Sequence, residues 1–104
     1  SYGHAKDFFN ADITDGKRNS DRNLLQFTNG SVSKPKVDDM VIFDGTLFNP
    51  YGHVAIISSV SEDKIEIVQQ NVGKKSRDNL QLHFKNQKWI IVDDSVLGWL
   101  RKDD

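Results

Sequence analysis

The chain has 104 residues, 37% of them hydrophobic and 28% charged, which is the size and composition of one ordinary soluble domain. Its 14 Lys and Arg residues nearly balance its 15 Asp and Glu residues, so the net charge of −1 gives no general attraction to nucleic acid or anionic lipid. No apolar run approaches the roughly 20 residues that a spanning helix needs, and without cysteine this chain holds no disulfide, thiolate metal site or thiol nucleophile of its own.

The first third of the chain is polar and weakly periodic. It opens without an initiator methionine or a visible signal peptide, so we expect the natural polypeptide to extend further toward its N-terminus. Phe8 and Phe9 among polar neighbours predict a short helix near residues 4–11. Residues 12–37 are rich in Gly, Pro, Asn, Ser and Asp, which predicts a long loop interrupted only by the apolar residues 24–27.

The last two thirds are typical of β-strands separated by polar turns. Six segments carry the apolar and β-branched residues: 40–43, 53–60, 65–71, 80–84, 88–92 and 96–101. They predict an antiparallel sheet of about five or six strands, and together with the short helix an α+β fold in one domain covering residues 1–104. The basic residues 74–77 are predicted to form a solvated turn.

The second and third segments are predicted to form a hairpin, and the length of its turn sets the register. A three-residue turn pairs Val60 with Lys64 and His53 with Asn71. It also places His53 and Gln69 on one face, whereas a two-residue turn would place them on opposite faces. The three-residue turn is favoured because it directs the isoleucines of the third segment inward.

His53, Gln69 and Asn71 then gather at one end of the inner face. Directly opposed side chains lie about 4.5–5.5 Å apart at Cβ, and diagonal ones about 7–8 Å. Side-chain amides beside an imidazole fix its tautomer and aim its ring, so the three residues form a candidate site. The alternative is that His53 is a packing residue, which is the commoner situation for a lone histidine at the start of a strand.

Three motifs resemble the CHAP family of cysteine- and histidine-dependent amidohydrolases and peptidases. They are Pro35-x-x-Asp38-Asp39-Met40-Val41-Ile42-Phe43, Gly52-His53-Val54-Ala55-Ile56-Ile57 and Ile67-Val68-Gln69-Gln70-Asn71. Residues 2–10 resemble the family segment that follows the nucleophile helix. Residues 96–101 are similar to the end of the amidase domain of glutathionylspermidine synthetase/amidase enzymes, the branch of the family that the chain resembles in these residues. The resemblance implies a papain-like fold, here without the N-terminal helix that carries the cysteine.

The resemblance also implies roles for individual residues. In this family a cysteine at a helix N-terminus attacks an amide carbonyl, and the histidine of the Gly-His-Val motif is its base. His53 would be that base, Gln69 would take the orienting position where Glu is usual, and Asn71 is a second candidate for it. An amide can hold the ring but stabilises an imidazolium less than a carboxylate does. Tyr51, Gly52 and Phe48 are expected to bind substrate, although Tyr51 and Phe48 would alternatively only pack their loop against the sheet.

Departures from the family pattern bear on activity. By resemblance the nucleophile belongs upstream of Ser1, and neither Ser1 nor Ser31 lies at a recognisable helix N-terminus or elbow that would let it substitute. Asp38 stands where the family has glycine. We therefore expect the 104-residue chain to be inactive toward amides by itself.

The function implied by the resemblance is hydrolysis of amide bonds in peptidoglycan peptides or in glutathionylspermidine-like conjugates. The alternatives are a catalytically dead module that binds cell-wall peptides and a partner-binding fragment. No cofactor is expected, and the spacing of His4, His53 and His83 matches no compact zinc motif.

The expected partner is a peptide or amide substrate, with no nucleic acid and no membrane. We also expect either a second copy of the chain or a missing N-terminal segment to cover the inner face of the sheet, because losing a packed helix leaves apolar area exposed. An extracellular or cell-envelope location is favoured over a cytoplasmic one.

Overall fold

Strands dominate the structure, a computed structural model that describes residues 5–45, 52–71 and 73–103. Within these ranges, a one-turn 3-10 helix, Ala5–Phe8, precedes eight strands. In chain order the strands are β1 (Arg18–Asn19), β2 (Leu24–Thr28), β3 (Met40–Phe43), β4 (His53–Val60), β5 (Lys64–Asn71), β6 (Lys74–Lys85), β7 (Lys88–Ile91) and β8 (Val96–Arg101). They form one antiparallel sheet in the order β1-β2-β8-β3-β4-β5-β6-β7.

The predicted α+β class with five or six strands is wrong, because the sheet has eight strands and the described N-terminal residues hold only one 3-10 turn. Isolated helices shorter than about 12 residues are marginal in water. The helix ends before Asn10, whose backbone pairs with a side chain of the sheet. Gln26 accepts a hydrogen bond from Asn10 N at 3.0 Å and donates one to Asn10 O at 2.7 Å. The basic residues 74–77 belong to strand β6 and not to a turn.

Buried polar side chains explain why β1 falls within the predicted loop and why residues 24–27 of β2 are predicted only as an apolar interruption of that loop. Gln26 is only 1% exposed although it lies in a strand. Its Oε1 also accepts a hydrogen bond from Nδ2 of the buried Asn19 at 3.0 Å. The two residues satisfy each other inside the fold, so the segment lacks the apolar alternation by which a strand is recognised in a sequence.

The inner face of the sheet carries the core. Trp99 of β8 is fully buried and stacks on Phe27 of β2, with ring centroids 6.4 Å apart. Successive side chains in a strand point to opposite faces, so alternate residues of β3, β4 and β5 contribute to this core. Its buried members are Phe27, Val41, Phe43, Ala55, Ile57, Ile65, Ile67, Leu82, Ile91, Val96 and Trp99.

The sheet curls until β7 lies against residues 29–31, which follow β2. Asn29 Nδ2 donates to Ile91 O at 3.0 Å, and Asn29 Oδ1 accepts from Ile91 N at 2.8 Å. Beside this pair, Gly30 N donates to Trp89 O at 2.8 Å and Trp89 N donates to Ser31 O at 2.7 Å. The Asn29 amide thus replaces one backbone rung of an antiparallel ladder.

The β4–β5 hairpin has the predicted three-residue turn, and half of its predicted register is confirmed. Ile56 pairs with Val68 and Ile57 with Ile67 in the predicted register, whereas the predicted His53–Asn71 pair stays a prediction. A β-bulge just after Ile57 then shifts the register, so Val60 pairs with Ile65 and the predicted Val60–Lys64 pair is wrong. The extra residue lets Ile57 and Val60, three positions apart, both pack on the core.

Candidate active site

A cavity of about 300 Å³ opens at the end of the inner face where β4 begins. Strands β3, β4, β5 and β6 and the loop between β7 and β8 form its walls. Its lining residues are Phe43, His53, Ile67, Gln69, Asp78, Asn79, Leu80 and Asp93. The structure therefore brings two of the predicted site residues, His53 and Gln69, to one cavity.

The backbone before His53 and the ring beside it fix the position of the imidazole. Gly52 has φ of +68°, and a Cβ there would collide with the carbonyl oxygen of Phe43. Only glycine lets β4 start this close to the end of β3. The His53 ring stacks on the Phe43 ring, with centroids 4.0 Å and planes 10° apart. Because Phe43 is buried in the core, the stack anchors one face of the imidazole.

The surroundings of His53 set its protonation state. Burial lowers the pKa of His53 below its ordinary value of 6.5, and the negative charge of Asp93 opposes that effect. The imidazole is therefore neutral at neutral pH. A neutral imidazole is the form that can accept a proton from a nucleophile, so His53 is suited to act as a general base.

Gln69 lines the cavity but is bonded to a carboxylate. Its Nε2 donates to Oδ2 of Asp78, on the neighbouring strand β6, at 3.1 Å. No hydrogen bond joins Gln69 to His53 among the residues that the structure describes. The orienting role predicted for Gln69 stays a prediction.

The other predicted site residues are only partly among those that the structure describes. Asn71 is the last residue of β5, but its side chain is outside the described part of the chain. Tyr51 and Phe48 also lie outside the described residues. Gly52 is described, and the structure gives it a backbone role at the start of β4.

Two carboxylates at the cavity, Asp78 and Asp93, were missed by the sequence analysis. Asp93 lies in the short loop between β7 and β8, where its Oδ1 accepts hydrogen bonds from Ser95 N at 2.9 Å and Ser95 Oγ at 2.7 Å. The polar Asp-Asp-Ser stretch between two apolar segments did signal a turn of this type. The curl of the sheet brings that turn to His53, and no local pattern indicates the curl.

Other predicted candidates lie away from the cavity. Ser31 is 2% exposed, and its Oγ donates to Asp15 Oδ2 at 2.7 Å, so it stabilises the curled edge of the sheet. Ser1 and His4 are outside the described residues. Within the described ranges, no three His, Asp or Glu side chains are grouped closely enough to hold a metal ion. No helix in those ranges is long and apolar enough to cross a membrane.

A larger cavity, of about 720 Å³, lies on the opposite face of the sheet. Met40, Ile56 and Leu100 are among its lining residues, and none of the predicted site residues is. The exposed side chains Val37 and Ile56 also belong to this cavity, whereas the inner face is largely filled by the core. Its size exceeds that of the His53 cavity, but no histidine is among its lining residues, and Asp39, one of its two aspartates, is paired with Arg101 at 2.7 Å. Coverage of the inner face by a second copy or an N-terminal segment stays a prediction.

Comparisons with known proteins agree with the motifs. The model of the CHAP domain family matches residues 2–71. Trypanothione synthetase from Crithidia fasciculata is 29% identical over 89 residues, and bifunctional glutathionylspermidine synthetase/amidase from Escherichia coli (strain K12) is 32% identical over 89 residues. In each case the match covers 74% of this chain and 14% of the relative.

A solved structure shares the fold. The crystal structure of Ly7917 with the hydrolyzing product of MDP superposes with a TM-score of 0.51 and 24% sequence identity. The match covers 89% of this chain and 40% of Ly7917. The arrangement of strands described above therefore also occurs within a larger protein.

Proposed function

The chain belongs to the CHAP domain family, and we propose that it supplies the histidine base of a cysteine amidohydrolase site. The observation that carries the proposal is the His53 imidazole, which is half-buried, stacked on Phe43 and exposed to a cavity beside Gln69. The family motif identifies the same histidine. The relatives that include an amidase by name support amide hydrolysis as the reaction.

The proposed reaction uses a cysteine from polypeptide outside this 104-residue sequence, which contains none. His53 accepts the thiol proton, and the thiolate attacks the amide carbonyl. The amine leaves with the proton from the imidazolium, and a thioester remains. His53 then takes a proton from water, which cleaves the thioester to a carboxylate and regenerates the thiol. The Phe43 stack keeps the ring in one plane throughout.

The proposed substrates are amide conjugates such as glutathionylspermidine, in keeping with the amidase-containing relative. Peptidoglycan peptides are the alternative class that the family resemblance implies. A cell-envelope location would accompany the second class. In either case the scissile carbonyl must reach the His53 cavity, whose polar lining includes Gln69, Asn79 and two aspartates.

Alkylation of the full-length protein by iodoacetamide tests the thiol–imidazole pair. One cysteine should label rapidly near neutral pH, and His53→Ala should slow that labelling by about tenfold or more, because the thiol loses the partner that stabilises its thiolate. His83→Ala is the matched control, since His83 is exposed on β6 away from the cavity. Equal rates in all three proteins would contradict the proposal.

A second experiment uses the 104-residue chain alone. We expect it to turn over neither glutathionylspermidine nor a peptidoglycan stem peptide, because it has no thiol. Turnover by this chain would show that another group is the nucleophile.

A second candidate function is peptide binding without catalysis. It is favoured by Gln69, which occupies the position where Glu is usual and is bonded to Asp78. The two functions predict different outcomes when the full-length protein is mixed with a peptidoglycan stem peptide. If the full-length protein binds the stem peptide and never cleaves it, the binding function is correct.

A further inference from the structure

We propose that Asp93 is the carboxylate that positions His53 and stabilises its imidazolium form, a role for which Gln69 lacks the charge. This inference rests on the proposed function, since it concerns the base of the amidohydrolase site. Asp93 is a positioning residue here and not a catalytic one, because it acts through His53.

The first support is the geometry of the cavity. His53 and Asp93 line the same cavity from two different elements, the start of β4 and the loop between β7 and β8. A carboxylate in the same partly enclosed space as an imidazole favours the protonated ring, and more strongly than it would in bulk water. The electrostatic effect of Asp93 on His53 has this sign.

The second support is that the Asp93 loop is anchored to the strand that holds the histidine ring. Ser95 donates two hydrogen bonds to Asp93 Oδ1, which leaves Oδ2 without a partner among the described residues. Ser95 O in turn accepts a hydrogen bond from Asp44 N at 2.7 Å. Asp44 directly follows Phe43, on which His53 stacks. The ring and the carboxylate are thus positioned from the same end of β3.

The third support concerns the two other carboxylates near His53, Asp78 and Asp44, which each accept a hydrogen bond from another group. Asp78 accepts the hydrogen bond from Gln69, and its charge is not among the effects that shift the pKa of His53. Asp44 Oδ1 accepts from the backbone N of Gly45. Asp93 is the group in the described surroundings that shifts the pKa of His53 upward, against the effect of burial.

NMR titration of the His53 imidazole in the 104-residue chain tests the inference without any catalytic step. Asp93→Asn should lower the pKa of His53 further, because the carbonyl of Asn can still accept from Ser95 while the charge is lost. Asp93→Glu should keep the pKa closer to that of the parent chain. The matched control is Asp94→Asn, which removes an exposed carboxylate from the same loop and should leave the titration unchanged.

The outcomes separate the inference from the proposed function. An unchanged His53 pKa in a folded Asp93→Asn chain would overturn the inference, and so would a shift produced by Asp78→Asn alone. In the full-length protein, Asp93→Asn should move the acidic limb of the pH–activity profile to lower pH, because the neutral form of His53 that acts as the base then persists to lower pH; a merely structural role would not do this. A coupled titration in a protein that cleaves no amide probe would refute the proposed function and leave the Asp93–His53 coupling standing.

Discussion

Asp38 adopts a left-handed backbone, with φ of +76°. It lies two residues before β3, in the motif where the CHAP family has glycine. Glycine adopts this conformation at no steric cost, and aspartate tolerates it better than most other residues because its short side chain can bond locally. The departure from the family pattern is therefore compatible with the family backbone.

The backbone at Asp38 gives a prediction for paired substitutions. Asp38→Ala should reduce the free energy of unfolding by about 1 kcal/mol, since alanine meets the full left-handed penalty, whereas Asp38→Gly should cause no such loss. Urea unfolding of both variants measures the difference. Asp21→Ala is the control, because Asp21 is an exposed aspartate in a turn and is not among the residues with positive φ. Equal losses in the alanine and glycine variants at position 38 would contradict the interpretation.

The site residues differ in how far the sequence could predict them. His53 and Gln69 were placed together from the hairpin register alone, because two adjacent strands and a short turn are local features. Asp93 is 40 positions from His53 in the printed sequence and reaches it only through the curl of the whole sheet. Local sequence patterns could therefore indicate His53, but they could not indicate that the Asp93 carboxylate lies at the same cavity.

At the level of elements, strands with regular apolar patterns were predicted well and strands with buried amides were not. The bounds of β3, β4 and β8 agree with the sequence segments. By contrast, β2 holds Gln26 in the interior. Half of β6 is polar, and its backbone pairing with β5 keeps that half in the sheet. Pairing with a neighbour, and not intrinsic preference, determines the structure of such segments.

The two hydrogen bonds between the Asn29 side chain and the Ile91 backbone connect β7 to the segment after β2, and their contribution to stability can be measured. Asn29→Ala should lower the free energy of unfolding by about 1–3 kcal/mol, because the N–H and C=O of Ile91 both lose their partner. Hydrogen exchange at the Ile91 amide should accelerate at the same time. Gln81→Ala, on the exposed side of β6, is the control and should change neither quantity. Unchanged exchange at Ile91 would mean that the edge of the sheet is closed without Asn29.

For the molecule as a whole, burial of His53 predicts a pH dependence of stability. Because its pKa is lower in the folded state than the ordinary 6.5, the unfolded chain binds a proton first as the pH falls. Stability is therefore complete above pH 6.5 and decreases as the pH falls from there through the folded-state pKa. Urea midpoints between pH 8 and pH 5 should decrease less in His53→Gln than in the parent chain. His83→Gln should retain the parent dependence, and a parent-like slope in His53→Gln would contradict this origin.

Strand β8 lies in the middle of the sheet, between β2 and β3, although it is the last strand along the chain. During synthesis the ribosome therefore releases β2 and β3 long before the strand that joins them. Until Val96–Arg101 emerges, the nascent polypeptide has two open strand edges facing each other across a gap. Contacts of such long sequence separation form slowly. Premature termination just before Val96 would consequently leave a chain that cannot join its two halves and that exposes both edges to aggregation.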